Sequence, residues 1–305
     1  IIPISAAAIE FFATVGYSPG FRSTLFEQFL VSGFPYMQEM FDESFEGLSD
    51  PGLVFPPNVE ILLELEADVL ISAWGSERYP DFETLSNVVP IVFTTEGFTW
   101  QDELLFVGDL INEREAAEEL ITGYDERVEI LRELLGDPSE ISITVVRVAP
   151  ENLQIRTSIT FTSQILADVG FTYPEAQAQV IEESPEELLG GLSIMVSEER
   201  LDLMDADYIF LYPLSPLPDI TQAVTDLLDN PIFQTLNASQ AGNAHGVSSA
   251  WTLSGIHAAH AVLDDLFIYV AGVDPAEVSP NPFLVDEMEN MEEDMEAEAT
   301  EEASD

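Results

Sequence analysis

The sequence of 305 residues predicts an α/β fold of two parallel-sheet lobes joined by one long rigid α-helix, with a ligand cleft between the lobes. Three observations carry this. Short, continuously apolar runs alternate with helical stretches, as expected of parallel strands covered on both faces. One stretch of 23 residues keeps a helical period far longer than any other. The length also exceeds the roughly 250 residues at which a single core stops growing, so the chain divides.

Taken in order, Ile1-Ile2-Pro3-Ile4 reads as a buried strand, Ser5 as an N-cap, 6–15 as a helix and Gly16 as its stop. A second unit pairs a helix over 58–65, with Val59, Leu62 and Leu63 spaced for one buried face, with a strand over 69–73. A third strand, 91–94, follows the turn-prone stretch before Pro90. From 113 to 135, Ala117, Leu120, Tyr124, Val128, Leu131 and Leu135 recur at intervals of three and four. At 1.5 Å per residue that helix is about 35 Å long, enough to run along two small lobes. Gly136-Asp137-Pro138 ends it.

The pattern then restarts: strand 141–148, helix 163–169, strand 208–212, helix 219–228, a short strand near 245–248 and a final helix over 255–270. These elements set the expected divisions at 1–112 for the N-terminal lobe, 113–136 for the connecting helix, 137–272 for the C-terminal lobe and 273–305 for an acidic disordered tail. Pro275, Pro280 and Pro282 break regular structure there, and 286–305 is a low-complexity acidic run without the spacing of a calcium loop.

Charge narrows the function. The chain has 58 acids, eight arginines and no lysine, a net charge of −50. Only eleven of the acids lie in 286–305, so the body itself is acidic. A nucleic-acid partner is excluded, because phosphate contacts need clustered cations. Carboxylates at this density repel unless screened, which fits a salt-rich, halophile-like habitat. With no cysteine there is no disulfide, thiol chemistry or Cys-based metal site. No run of about 18 apolar residues spans a bilayer. Ile1–Ile4 reads as a strand and not as a leader, so any targeting segment is removed or lies outside this sequence.

Phosphate-loop, dinucleotide, zinc-protease and nucleophile-elbow motifs are all absent. Paired carboxylates say nothing when acids are this abundant. His257 and His260 share a helix face, but they sit among alanines on a helix that must pack, and read as packed histidines before metal ligands. No resident cofactor or metal is expected. A metal-dependent α/β hydrolase is the weaker alternative to a non-enzymatic binding protein.

Arginine is informative because it is scarce. Arg114, Arg127, Arg132 and Arg200 fall on Glu-rich helices, where pairing one turn away accounts for them. Arg78 follows a strand, whereas Arg147 and Arg156 lie on or beside the first strand of the second lobe, where open α/β sheets bind ligands. Those three can hold an anionic group, with local salt bridges as the competing account. Trp74, Trp100, Tyr212 and Trp251 follow the same geography at strand exits. Together they suit a bulky, partly apolar, partly anionic small molecule.

Several segments resemble one family. Pro57-Asn58-Val59-Glu60, Glu64-Leu65 and Ala67-Asp68-Val69-Leu70-Ile71 resemble a segment of the iron-siderophore and vitamin B12 substrate-binding proteins of ABC transporters. So do Leu85-Ser86 with Pro90-Ile91-Val92-Phe93, Val196-Ser197 with Glu199-Arg200-Leu201, Asn230-Pro231-Ile232-Phe233, and Ala250-Trp251 with Gly255. Ala67 stands where the family has proline, and Gly190-Gly191 where some relatives carry a pocket aromatic.

The resemblance implies a helical-backbone (class III) binding protein that captures an iron(III)-siderophore, or alternatively cobalamin or haem, and passes it to a membrane permease and its ATPase. Iron enters as cargo held by the siderophore. By position, Trp251 resembles the family's pocket tryptophan, and Arg78 stands where siderophore binders often place an arginine. Glu60 and Glu199 match the lobe-surface glutamates that dock onto the permease. A monomer, periplasmic or lipid-anchored at the cell surface, is implied.

Overall fold

Ser5 caps the first helix: its Oγ accepts the Ala8 amide at 3.3 Å, and α1 (Ala6–Thr14) follows β1 (Ile2–Ile4) directly. The computed structural model describes residues 1–52, 58–72, 82–93, 99–149, 152–157, 160–183, 188–189, 193–215 and 217–284. Two helices that the sequence reading did not anticipate, α2 (Thr24–Gly33) and α3 (Met37–Ser44), pack on α1 and bury Phe26 and Phe41. α4 (Val59–Glu64) starts at Asn58, whose Oδ1 accepts the Glu60 amide at 2.8 Å, and precedes β2 (Leu70–Ser72). α5 (Phe82–Val88) precedes β3 (Ile91–Phe93). The three strands pair in the order β1-β2-β3, all parallel, with Ile2, Leu70 and Ile91 in register.

Between the lobes run α6 (Trp100–Ile111) and α7 (Arg114–Leu135). Thr99 and Asp102 form a reciprocal capping box on α6. α7 comes within one residue of the expected connecting helix at each end, buries Ala117, Tyr124, Val128 and Leu131, and stops at Gly136 with φ +77°.

The second lobe holds β4 (Ile143–Ala149), β5 (Asn152–Arg156), α8 (Phe161–Val169), α9 (Glu175–Glu183), β6 (Leu188–Leu189), β7 (Ser193–Val196), β8 (Tyr208–Pro213), α10 (Pro218–Leu228), α11 (Asn237–Ala241), β9 (Ala244–Gly246) and α12 (Ile256–Leu266). A π-helical turn, Phe267–Ala271, extends α12. The strand order is β6-β7-β5-β4-β8-β9. This sheet departs from the all-parallel expectation: β4–β8 and β8–β9 are parallel, whereas β4–β5, β5–β7 and β6–β7 are antiparallel. Only two residues separate β4 from β5, and so short a link makes a hairpin, because a parallel crossover needs a dozen residues or more.

The chain beyond Gly272 also differs from expectation. Residues 273–284 do not form part of a tail: α13 (Pro275–Val278) is helical, the Ser279 carbonyl accepts from Arg127, and Phe283 stacks on His257 at 3.7 Å. Apolar packing holds them there, which a proline count cannot reveal. The acidic run 286–305 lies outside the described residues.

Two apolar clusters fill the interior. The larger runs unbroken from Phe11, Phe12 and Phe41 of the first lobe, through Tyr124 and Leu131 of α7, to α12 and one face of the second sheet. The smaller covers the opposite face, with Val146, Val148, Ile209, Leu211 and Phe233. Among the described residues no helix is long and apolar enough to cross a membrane.

Candidate ligand-binding site

Side chains alternate across a strand, so with Val146 and Val148 turned into the smaller cluster, Arg147 projects from the other face of β4. Strand register extends that face sideways: Arg147 lies opposite Tyr212 on β8 and Gln154 on β5, and Gln154 opposite Met195 on β7. Arg156, two residues further along β5, lies opposite Ser193. One sheet face thus carries Tyr212, Arg147, Gln154, Arg156, Ser193 and Met195. Gln154 and Ser193 are buried, the two arginines half-buried, and Met195 is exposed.

Both guanidiniums are fixed by neutral partners. Arg147 donates through Nε to Gln154 Oε1 at 3.0 Å and also through Nη2. Gln154 Nε2 in turn donates to Asn152 at 2.8 Å. Arg156 Nη1 donates to Ser193 Oγ at 2.6 Å, while its buried Nε has no partner among the described residues. Among the described residues Arg22, Arg114, Arg127, Arg132 and Arg200 each pair with a carboxylate within 4.0 Å, and Arg147 and Arg156 do not. With 58 acids in the chain, two guanidiniums on one sheet face with no carboxylate within 4.0 Å among the described residues make that face the candidate site for an anionic ligand. Burial holds the Arg156 pKa below its usual value, with Arg147 adding to the effect and Tyr212 opposing it. Burial raises the Tyr212 phenol, and both guanidiniums pull it back.

The tryptophans occupy other positions than expected. Trp251, 1 % exposed, stacks on Phe210 at 5.0 Å and donates from Nε1 to Asp265 Oδ2 at 2.6 Å. It stands behind Tyr212, with ring centroids 6.4 Å apart, so it supports the face and does not line it. Trp100 opens a helix and is buried in the seam between the lobes, edge-on to Tyr124 of α7 at 4.8 Å and near Phe161 of α8. Its amide donates to Gln164 Oε1 at 3.2 Å, which joins α6 to α8. An apolar stripe on α7 facing both lobes is the reason: it needs a large flat partner. Tyr212 is 2 % exposed, nearly closed over by its neighbours. Trp74 and Arg78 lie outside the described residues, as do 94–98.

Glu60 is exposed on α4, one helical turn from the exposed Leu63. Glu199 lies in the helical turn Glu198–Met204. Arg127 is not the surface pair that its helix suggested: at 4 % side-chain exposure it reaches Asp264 on α12, His260 and the Ser279 carbonyl. His257 and His260 are both buried, and the ring nitrogens of His257 meet Thr14 at 2.9 Å and Tyr36 at 2.8 Å. Burial drives His257 down to about 3 and His260 well below its usual value. A separate cavity of about 440 Å³, lined by Val148, Leu153, Val196 and Leu227, opens on the other sheet face and contains neither arginine. Its walls also hold Asp226, Asn152 and Asn230 and offer no cation to an anionic ligand, whereas the other sheet face carries two guanidiniums, so the latter is the candidate.

The sequence reading missed Gln154, Ser193 and Asp265. For Gln154 a signal existed, the alternation in Asn-Leu-Gln-Ile-Arg over β5. Asp265 stood in the matching segment Leu263-Asp264-Asp265-Leu266, but no local pattern pairs it with an indole fourteen residues away.

Comparison with known proteins places this geometry. A family model described as periplasmic binding protein matches residues 56–245. A probable siderophore-binding lipoprotein of Bacillus subtilis, YfiY, is 28 % identical over 78 % of this chain and 73 % of its own length. The achromobactin-binding periplasmic protein of Dickeya dadantii is 26 % identical over 73 % of this chain and 72 % of its own length. Among solved structures, Staphylococcus aureus SirA superposes with a TM-score of 0.67 at 18 % identity, covering 88 % of this chain and 97 % of that one. The same protein complexed with staphyloferrin B superposes equally well, at 20 % identity over 88 % of this chain and 91 % of that one.

Proposed function

Because the chain belongs to the periplasmic binding protein family, we propose that it is the extracytoplasmic solute receptor of an ABC importer, and that its cargo is an iron(III)-siderophore held between the lobes. The single observation that carries the cargo is the pair of guanidiniums on one face of the second sheet that, among the described residues, have no carboxylate partner. Two relatives, a probable siderophore-binding lipoprotein and an achromobactin-binding periplasmic protein, point the same way. Arg147 and Arg156 meet anionic oxygens of the chelate, and Tyr212 and Met195 supply apolar contact. Trp251 holds Tyr212 from behind. Arg78 and Trp74 belong to the opposite wall of the gap on this reading.

The chain binds and releases and catalyses nothing. It works as a monomer, with lobe limits at 1–112 and 137–272 about the helix 113–136. The permease reads Glu60 on the first lobe and Glu199 on the second, and its ATPase drives uptake.

Tryptophan fluorescence titrated with ferric hydroxamate, catecholate and carboxylate siderophores, with cobalamin and haem alongside, tests the cargo. Saturable quenching by a ferric siderophore at micromolar concentration or below, weakened about tenfold or more by Arg147→Ala or Arg156→Ala, is the expected outcome. Quenching by cobalamin or haem alone reassigns the cargo, and a flat response to all of them overturns the reading.

A further inference from the structure

Glu10 lies in the middle of α1, between Ile9 and Phe11, and is wholly buried. Its carboxyl crosses to the other lobe and accepts the His257 amide at 2.6 Å, in the first turn of α12. The residue that should cap α12 is Gly255, which has no side chain to do so and adopts φ +121°. A Cβ at Gly255 would sit 2.7 Å from Glu10 Oε2, so the glycine is what admits the carboxyl. One residue short of the other end of the same helix, Asp265 accepts the Trp251 indole at 2.6 Å. Trp251 then backs Phe210 and Tyr212.

We propose that Glu10 and Asp265 are positioning residues that hold α12 between the first lobe and Trp251, and thereby set Tyr212 beside the two guanidiniums that receive the ligand. The inference rests on the reading of that face as the binding site. It also gives the segment Ala250-Trp251-x3-Gly255 a physical reason: the tryptophan and the glycine are fixed by two carboxyls on opposite ends of one helix.

The surroundings of both carboxyls are defined. Around Glu10 stand Glu103 on α6, which accepts from Ser5 Oγ at 2.7 Å, and the neutral His257 with Tyr36 and Thr14. Beside Asp265 stands Asp264, which is paired with Arg127 of α7; beyond the indole, Phe210 packs against Tyr269 and against His245, whose pKa burial lowers. Burial raises Asp265 to about 6, partly offset by the indole N–H.

Protein labelled with 5-fluorotryptophan gives three fluorine resonances, and Trp251→Phe identifies the one that matters. Without ligand, that resonance is expected to titrate with a midpoint near 6, to stop titrating in Asp265→Asn, and to shift or broaden in Glu10→Ala. Glu10→Gln, which keeps an acceptor for the α12 amide, leaves it near the wild-type position. Glu10→Ala weakens the tightest-binding ferric siderophore of the panel about tenfold, and Glu10→Gln less than about threefold. Arg147→Ala weakens binding while leaving the Trp251 resonance in place, so the failure of the binding face and the failure of this inference are distinguishable. An unmoved Trp251 resonance and unchanged affinity in Glu10→Ala overturn it. Should Glu10→Ala not fold, the pH titration of Asp265→Asn decides: a midpoint near 6 that survives the substitution overturns the inference.

Discussion

The two lobes carry the same net charge, −16 each from 18 acids and two arginines in 1–112 and 19 acids and three arginines in 137–272, yet they are built differently. Among the described residues the first has three strands of three residues and no apolar cluster of its own. Its phenylalanines share one interior with α7 and α12. The second has six strands and a private cluster on its far face. The difference teaches that the first lobe is ordered by what it leans on, whereas the second brings its own support and can present a fixed face to a ligand.

The largest expected effect tests that dependence. Phe12, with no exposed surface, packs in the shared interior, and Phe12→Ala should cost about 3–5 kcal/mol. Circular dichroism and tryptophan fluorescence should then report one common denaturant transition, moved to lower denaturant as a whole. Two separated transitions, with only the earlier one moved, would break the comparison, because the first lobe would then unfold alone.

Asp264→Ala strikes the seam itself. Arg127 is nearly buried, and its loss of Asp264 leaves a cation without compensation, at a cost of about 3 kcal/mol. Replacing both partners with apolar residues of similar size should recover most of this, as measured by thermal unfolding of the single and double variants. A double variant no better than the single one would mean that the seam depends on charge and not on packing.

A smaller effect comes from pH. Burial raises Glu10 to about 8, against a pull from the His257 and Ile256 amides and a further push from Glu103. The folded protein thus binds this proton more tightly than the unfolded chain does. The contribution is fully present below about 4.5 and is lost as pH rises through about 8. Wild type minus Glu10→Gln, in denaturant melts at each pH, isolates it from the general repulsion among carboxylates. A flat difference would show that the carboxyl is hydrated and the lobes less tightly joined than their packing implies.

Legibility in the sequence followed the same division. α7 was readable because one amphipathic stripe runs through it, and β2, β3, β4 and β8 because they are short apolar runs. α2 and α3 were missed since their apolar residues face α1, a partner that only the fold supplies. Scarcity singled out Arg147 and Arg156, which the strand register sets on one sheet face, whereas Trp100 and Trp251 are buried: a tryptophan after a strand looks the same in sequence whether it faces a ligand or backs a tyrosine. Glu10 had a signal that went unread, an acid flanked by Ile9, Phe11 and Phe12. What it caps lies 247 residues away, beyond any local pattern.

The least effect belongs to the outward side of α7. Arg132 pairs with Glu129 at 2.6 Å, one turn back on the same helix, with side chains 42 % and 65 % exposed. Its Nε also donates to the Val169 carbonyl at 3.1 Å, so it touches the second lobe without being enclosed by it. Water screens the pair, and holding two long side chains in one geometry costs entropy, so Arg132→Ala should change stability by about 0.5 kcal/mol at low salt. In 1 M salt the Debye length falls to about 3 Å and the change should vanish. Arg127 lies on the same helix, only five residues earlier, but faces the seam, and the loss of its ion pair should survive that salt. If both arginines prove equally salt-sensitive in thermal melts, the seam is wet, and the contrast between a buried junction and a solvated helix face is lost.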